Sequence, residues 1–499
     1  MNLKRRSFLS VIAAALGASA VTKTAQAQLY TPVPEKWNET VDVLVIGAGG
    51  AGFSAAVTAK EEGAKSVLLA EKLPFVGGNT MLCSGLINAA DPERQNKLGI
   101  KDSKELHLKQ TLDAGDNRAN PELVKILTDN ALDSVHWLEA HGMKFKDEVY
   151  QAYGALYPRT HVPVEAKGQG YIKAMVEAAK KVGVNVQTNL KLISFIREKP
   201  LEGRVLGALF ENAKKEKVYI RAKAVVLATG GFAANREMRS KHDPRMYSLT
   251  TTNNAAASTG EGLLAAKDIG AYLIGMDYIQ CNPGTPPGKK YRGVLHLDVS
   301  RYIFVGPDAK RFVAEDERRD VLRDAILNLP EKFGYTVVDN DGFLHNDAVV
   351  QETTKKMVKE GEAWTADSIE ELAKKMGLNP TALKKTVDEY NSYVDSKKDP
   401  IGKNERNLNH KIIKPPFWAC YSAMSVHHTM GGVQINTKTQ VLDDKGNVIP
   451  GLYAAGEVTG GIHVRTASVL TQSLTSSHSD VSQVRTQPQN PKSNLLDSP

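Results

Sequence analysis

The chain has 499 residues, of which 41% are apolar, and a formal net charge of +8. That length allows two domains or one large interrupted domain, and the apolar content is ordinary for a globular protein. Lys4, Arg5, Arg6 and Lys23 supply four of the charges, so the chain beyond residue 27 carries +4 and no long Lys/Arg run, which leaves no footprint for nucleic acid.

Residues 1–27 have the layout of a twin-arginine export signal. KRRSFL (Lys4–Leu9) is the charged n-region, an apolar run reaches about Ala20, and AQA (Ala25–Ala27) is a small-x-small cleavage site. The apolar run is too short for a stable membrane helix, so no stable membrane insertion is expected. That export route carries folded proteins, which lets a cofactor enter before export to the periplasm. Cys83, Cys281 and Cys420 are far apart and odd in number, so no disulfide framework is expected. No CxxCH occurs and no Cys/His cluster has zinc-like spacing, so neither covalent haem nor a metal is expected on this chain.

DVLVI (Asp42–Ile46) reads as a buried strand. It runs into GAGGAGFSAA, where Gly47, Gly49 and Gly52 fit GxGxxG; a helical segment follows over Phe53–Glu62. SVLLAEK (Ser66–Lys72) is a second strand, ending in Glu71 at the spacing of a ribose-binding carboxylate. Such glycines permit a tight turn, and the helix N-terminus then faces a pyrophosphate. GGNTMLCSGLINAA (Gly77–Ala90) follows almost at once. AKAVVLATGGFAAN (Ala222–Asn235) and GLYAAGEV (Gly451–Val458) are two later strands that end in glycine. Three separated returns to one glycine-rich site imply an extended FAD rather than NAD.

Between these segments, Asp367 precedes Ile369, Leu372, Ala373 and Met376 on one helical face, and Gly377 stops that helix. Asn379 and Pro380 then open another helix, with Leu383, Val387 and Tyr390 on one side. Both helices read as scaffold.

With GGNT at Gly77–Thr80, ATGGF at Ala228–Phe232, STGEG at Ser258–Gly262, RFVAEDERRD at Arg311–Asp320, HHTMGG at His427–Gly432 and AAGEVTGGIH at Ala454–His463, the chain resembles the fumarate reductase flavoprotein family, in its soluble, exported flavocytochrome c branch. The resemblance spans about Val41 to His463. It implies an α/β fold, a Rossmann-like FAD-binding domain interrupted by a smaller α+β clamp domain. The expected division is cofactor domain over 28–276 and 421–463, with the clamp over 277–420.

The resemblance also implies an FAD-dependent oxidoreductase acting on CH–CH groups in anaerobic respiration. One non-covalent FAD per chain gives hydride from N5 to the β-carbon of an unsaturated carboxylate, and Arg319 gives a proton to the α-carbon. Cofactor contacts are expected at Gly47, Gly49, Gly50, Gly52, Glu71, Lys72, Gly78, Asn79, Thr80, Ser84, Gly85, Asn88, Thr229, Gly230, Gly231, Glu261, Gly262, His428 and Glu457. Substrate contacts are expected at Gly85, Asn282, Arg292 and His427. Without its own haem, the chain is expected to draw electrons from a separate cytochrome c-type donor. A dehydrogenase running in the opposite direction, like the ketosteroid dehydrogenases, fits HHTMGG and ERRD less well.

Three departures from the family pattern carry information. Asn282 stands where fumarate reductases hold the second substrate carboxylate with a His. Counting back from Arg319, the relay Glu and Arg of those enzymes become Leu295 and Asp298. The loss of the second clamp points to an acrylate- or methacrylate-like monocarboxylate, or to a larger arylacrylate or urocanate-type acid. Fumarate is the alternative, with Arg292 in place of the lost His. The third departure is the tail. The family's carboxylate-binding Arg is due at position 467, where this chain has Ala467. Reading Val464–Val469 as degenerate codons, with one nucleotide inserted ahead of them, permits G-T-N-R-L-G, and the shifted frame through Val484 permits an apolar helix. The expectation is a single-nucleotide deletion near codon 464, with residues 464–499 out of frame. Taken literally, that tail leaves an FAD-binding remnant with little activity.

Overall fold

The computed structural model describes residues 30–150, 157–165, 167–252, 256–296, 298–346 and 348–462. Residues 1–27, where an export signal is expected, His463 and the tail over 464–499 lie outside the described residues.

The first half of the chain builds most of an eight-stranded mixed sheet whose central run is parallel. β1 (Glu39–Ile46), β2 (Val67–Ala70), β3 (Asn185–Gln187) and β4 (Lys217–Leu227) join the late strand Val448–Ala454 in the order β3-β2-β1-β4-late strand, all parallel. Leu44, Val45, Leu68 and Leu69 have no exposed surface, as befits parallel strands covered on both faces. α1 (Gly50–Glu61) is buried from Gly50 to Ala59 and shares its core with the helix Gln169–Val182. The expected strands and helix are all present, each shifted by a few residues at its ends. Ile46 aligns with Ala70 and Leu227, and Leu227 with Ala454. The C-terminal ends of these strands therefore form one edge, the place where open α/β sheets bind ligands.

The second sheet is antiparallel. It comprises β5 (Ile279–Gly284), the strands Tyr302–Val305, Phe333–Val338 and Ala363–Ala366, and β6 (Phe417–Thr429). β6 runs without a break through Cys420, so one strand carries the chain from the smaller sheet back to the cofactor edge. The two scaffold helices, Ile369–Met376 and Pro380–Ser396, bury Leu372, Leu383 and Tyr390 completely against this sheet. Ser368, one residue past Asp367, caps the first through its Oγ on the Glu371 N–H, and Asn379 caps the second on the Ala382 N–H. Gly377 ends the first helix in the left-handed region at φ 74°.

A buried ion cluster fixes the segment that leads to Arg319. The Arg311 guanidinium donates to Glu315 and Asp399 at 2.8 Å each, and Lys403 Nζ lies 3.1 Å from the same Glu315. Glu315 also accepts the Phe304 N–H. Removing one member would leave uncompensated buried charge, which typically costs about 3–5 kcal/mol.

Candidate active site

The cofactor end is built largely from backbone. Gly47 has φ +107°, and a Cβ at Gly52 would sit 1.7 Å from the Gly47 carbonyl oxygen, so only glycine fits there. Glu71 accepts the Ala48 N–H through Oε2 and the Leu73 N–H through Oε1, both at 2.9 Å, tying the end of β2 to the glycine turn. The Gly50 N–H donates to Thr80 Oγ1. Lys72 reaches across to Glu261 at 2.6 Å. Burial would raise the Glu261 carboxyl, but Lys72 and Thr259 outweigh it and hold it below its usual value.

These groups line a cavity of about 610 Å³. Gly47, Gly49, Gly50, Glu71, Lys72, Gly78, Asn79, Thr80, Ser84, Thr229, Gly230, Glu261 and Gly262 line it, and so do Asn282, Arg292, Arg319, His427, His428 and Glu457. Gly52, Gly85, Asn88 and Gly231 are not among its lining residues. Gly85 gives its carbonyl to the Tyr171 hydroxyl, and Asn88 accepts from Thr160. A Cβ on Gly231 would strike Thr429 Oγ1 at 1.9 Å. Sequence reasoning passed over Thr252, Gln280, Lys191 and Tyr150, which also line the cavity and belong to no glycine motif, and Ser258, which opens the STGEG segment.

The residues fit FAD. The cavity has the volume of a cofactor site. Its glycine turn admits close backbone approach, and Thr229 Oγ1 is a buried polar atom with no protein partner. Such orphans ordinarily find a ligand or water.

The other end is assembled by strand pairing. β5 and β6 are antiparallel, with Gln280 opposite His428 and Asn282 opposite Ser425, and a bulge between Gln280 and Cys281. This register places Asn282 beside the histidine pair, although some 145 residues separate them (Asn282 to His427). His428 Nδ1 lies 3.0 Å from Glu457 Oε1, and Glu457 also accepts the Thr429 N–H. Burial opposes ionisation of Glu457, but the charge of His428 and these hydrogen bonds hold its carboxyl below the usual range. For His427, burial is the largest cause of a pKa lowered to about 4, and His428 and Arg319 push the same way. Its ring is therefore neutral at pH 7. Thr252 Oγ1 lies 2.6 Å from His427 Nδ1, and a hydroxyl donating there leaves Nε2–H free to donate to a carboxylate. Arg319 is the first residue of α2 (Arg319–Leu327), so the positive end of that helix adds to the guanidinium in drawing an anion.

The three cysteines are free thiols, and no group of metal-ligating side chains occurs among the described residues. No helix among the described residues is long and apolar enough to cross a membrane.

Sheet, glycine turn and cavity together define an FAD-type flavoprotein. Residues 42–467 match the FAD binding domain family. The chain is 39% identical to a fumarate reductase (cytochrome) of Shewanella frigidimarina, over 85% of this chain and 73% of that protein. It is 34% identical to the acrylate reductase flavoprotein subunit of Shewanella woodyi, over 92% of this chain and 94% of that one. Its fold overlays the open conformation of a flavocytochrome c3 fumarate reductase with a TM-score of 0.76, at 32% identity, over 94% of this chain and 81% of that chain. The chain belongs to the FAD binding domain family, and is an FAD-dependent oxidoreductase of the fumarate reductase type that acts on carbon–carbon double bonds.

Proposed function

We propose that the protein reduces the double bond of an α,β-unsaturated monocarboxylate, such as acrylate or methacrylate, in the periplasm during anaerobic respiration. The observation that carries this reading is Asn282, which lines the cavity and whose buried Oδ1 has no protein partner. A neutral amide at that point supplies no charge for a second carboxylate. Burying an anion without a charged partner is costly. A single carboxylate is held instead by the neutral His427 Nε2–H and the positive end of α2.

Bound non-covalently at one per chain, FAD would supply the hydride. It would rest with its phosphates on the Gly47–Gly52 turn and its ribose on Glu71. His428 and Glu457 brace the wall between cofactor and substrate. Arg319 would hold the proton due to the α-carbon, and its cation would offset charge gathering on the carboxylate. With no haem-attachment motif in its sequence, the chain would take electrons from a separate cytochrome c-type donor, after export by the twin-arginine route.

Fumarate is the second reading, because Arg292 lines the same cavity and carries the charge that Asn282 lacks. An inert FAD-binding remnant is the third, and it follows if the tail is encoded as written. The native gene is expected to hold one more nucleotide near codon 464, restoring an Arg at position 467. Sequencing that codon separates the remnant from the enzyme. Incubating the frame-restored protein with reduced methyl viologen and acrylate should give propionate, identified by NMR. Oxidation of saturated acids with no reduction of any enoate would overturn the reading.

A further inference from the structure

A second, much smaller cavity lies behind Arg319. It measures about 20 Å³, room for a single water. Cys281, His296, Tyr302, Arg319, Tyr421 and Ser422 are among its lining residues. Among the described residues, Arg319 alone lines both this cavity and the large one. Arg319 thus borders both the substrate space and a one-water chamber.

Once Arg319 has given up a proton it must be refilled at once, because guanidinium holds its last proton tightly. The two positions that counting back from Arg319 assigned to a relay cannot serve. Leu295 is apolar and 1% exposed. Asp298 is turned to other work: it accepts from the Ser300 N–H and Oγ and the Arg301 guanidinium, and it pairs with His345. Cys281 has its thiol pushed up to about 12 by burial, so it holds its proton at neutral pH. His296, between the two failed positions, is half-buried and makes no side-chain hydrogen bond among the described residues.

We infer that His296 refills Arg319 with protons through a water in this cavity. This rests on the reading of Arg319 as the proton donor. In each turnover Arg319 releases one N–H proton to the substrate α-carbon. The cavity water passes a proton to the guanidine nitrogen and takes one from a ring nitrogen of His296. The other ring nitrogen takes a proton from bulk water, leaving hydroxide in the solvent, and a flip of the ring returns its N–H to the cavity side before the next turnover. Only N–H, O–H and C–H bonds change, and the electron pair comes from the reduced cofactor. Burial first, and then the nearby Arg292 cation, hold the His296 pKa down to about 4. The ring therefore rests neutral, able to accept on one nitrogen while donating from the other. The other polar and titratable groups around the cavity are Cys281, Tyr302, Tyr421, Ser422 and Arg319 itself.

The test uses FAD-loaded, frame-restored protein. His296→Ala should lower kcat on the enoate at least tenfold with KM little changed, and added imidazole should restore much of the loss. His296→Gln should show the same loss without the rescue, and both variants should keep the flavin spectrum and the rate of flavin reduction by dithionite. A packing role would not give imidazole rescue. If the unaltered protein turns over and both variants match it, or if imidazole restores nothing to His296→Ala, the relay is overturned while the enoate reading stands. If the unaltered protein reduces no enoate at all, both fall.

Discussion

The two ends of the main cavity are built in different ways. At the nucleotide end, Gly47, Gly49 and Gly50 present backbone, and Glu71 spends both carboxylate oxygens on the backbone N–H groups of Ala48 and Leu73. At the carboxylate end, the surface is side chain: Asn282, Arg292, Arg319 and His427 come from β5, the loop after it, the start of α2 and β6. A backbone cradle tolerates almost no substitution, since a Cβ at Gly52 already collides with Gly47. A side-chain pocket changes ligand by changing one residue. On the proposed reading, cofactor identity is held by geometry and substrate identity by chemistry.

The comparison breaks most sharply at Arg319. Arg319→Gln in the frame-restored protein should lower kcat by about a thousandfold, the usual scale for removing a proton donor or a transition-state charge. Flavin content should stay normal, because the substitution touches only the carboxylate end. Steady-state turnover and the flavin absorbance ratio check both halves. The opposite perturbation is Gly52→Ala. It should cost about 1–3 kcal/mol of stability through overpacking, and should release most of the flavin while leaving the carboxylate end chemically intact. Flavin retained through gel filtration, together with the thermal midpoint, measures it.

The smallest expected effect sharpens the electrostatic side. His107, His296 and His427 have pKa values lowered to about 3, 4 and 4, chiefly by burial. The unfolded chain binds these protons below its ordinary His pKa of about 6.5, whereas the folded chain does not. Stability from these groups is thus fully present above about pH 6.5 and is lost as pH falls toward 4. The thermal midpoint should drop across that window. Replacing His427 with Asn should reduce the slope without abolishing it.

The nucleotide end was legible in the sequence because its physics is local. Strand, glycine turn, helix and second strand occupy one continuous stretch, and Gly47 and Gly52 each answer to a backbone clash. The α/β fold and its parallel sheet followed from the same patterns. The carboxylate end was not legible from periodicity or spacing. Asn282 and His427 meet only through the bulged register of β5 on β6, and no local pattern encodes that pairing. The resemblance supplied those positions, together with Arg319. It also assigned cofactor contacts to Gly52, Gly85, Asn88 and Gly231, which are not among the residues lining the cavity. Thr252, which orients His427, carries no signal of its own in a threonine-rich loop. His296 was passed over because counting back from Arg319 falls on its neighbours, and a lone histidine reads as structural.

The most direct measurement of the central claim is the ratio of kcat/KM for acrylate to that for fumarate, in the frame-restored protein and in Asn282→His. The account predicts a ratio well above one in the unaltered protein. It also predicts a shift toward fumarate of about 10- to 100-fold in the variant, the scale on which a single polar contact discriminates between ligands. A preference for fumarate in the unaltered protein, unchanged by Asn282→His, would contradict it and would place the second carboxylate on Arg292 instead.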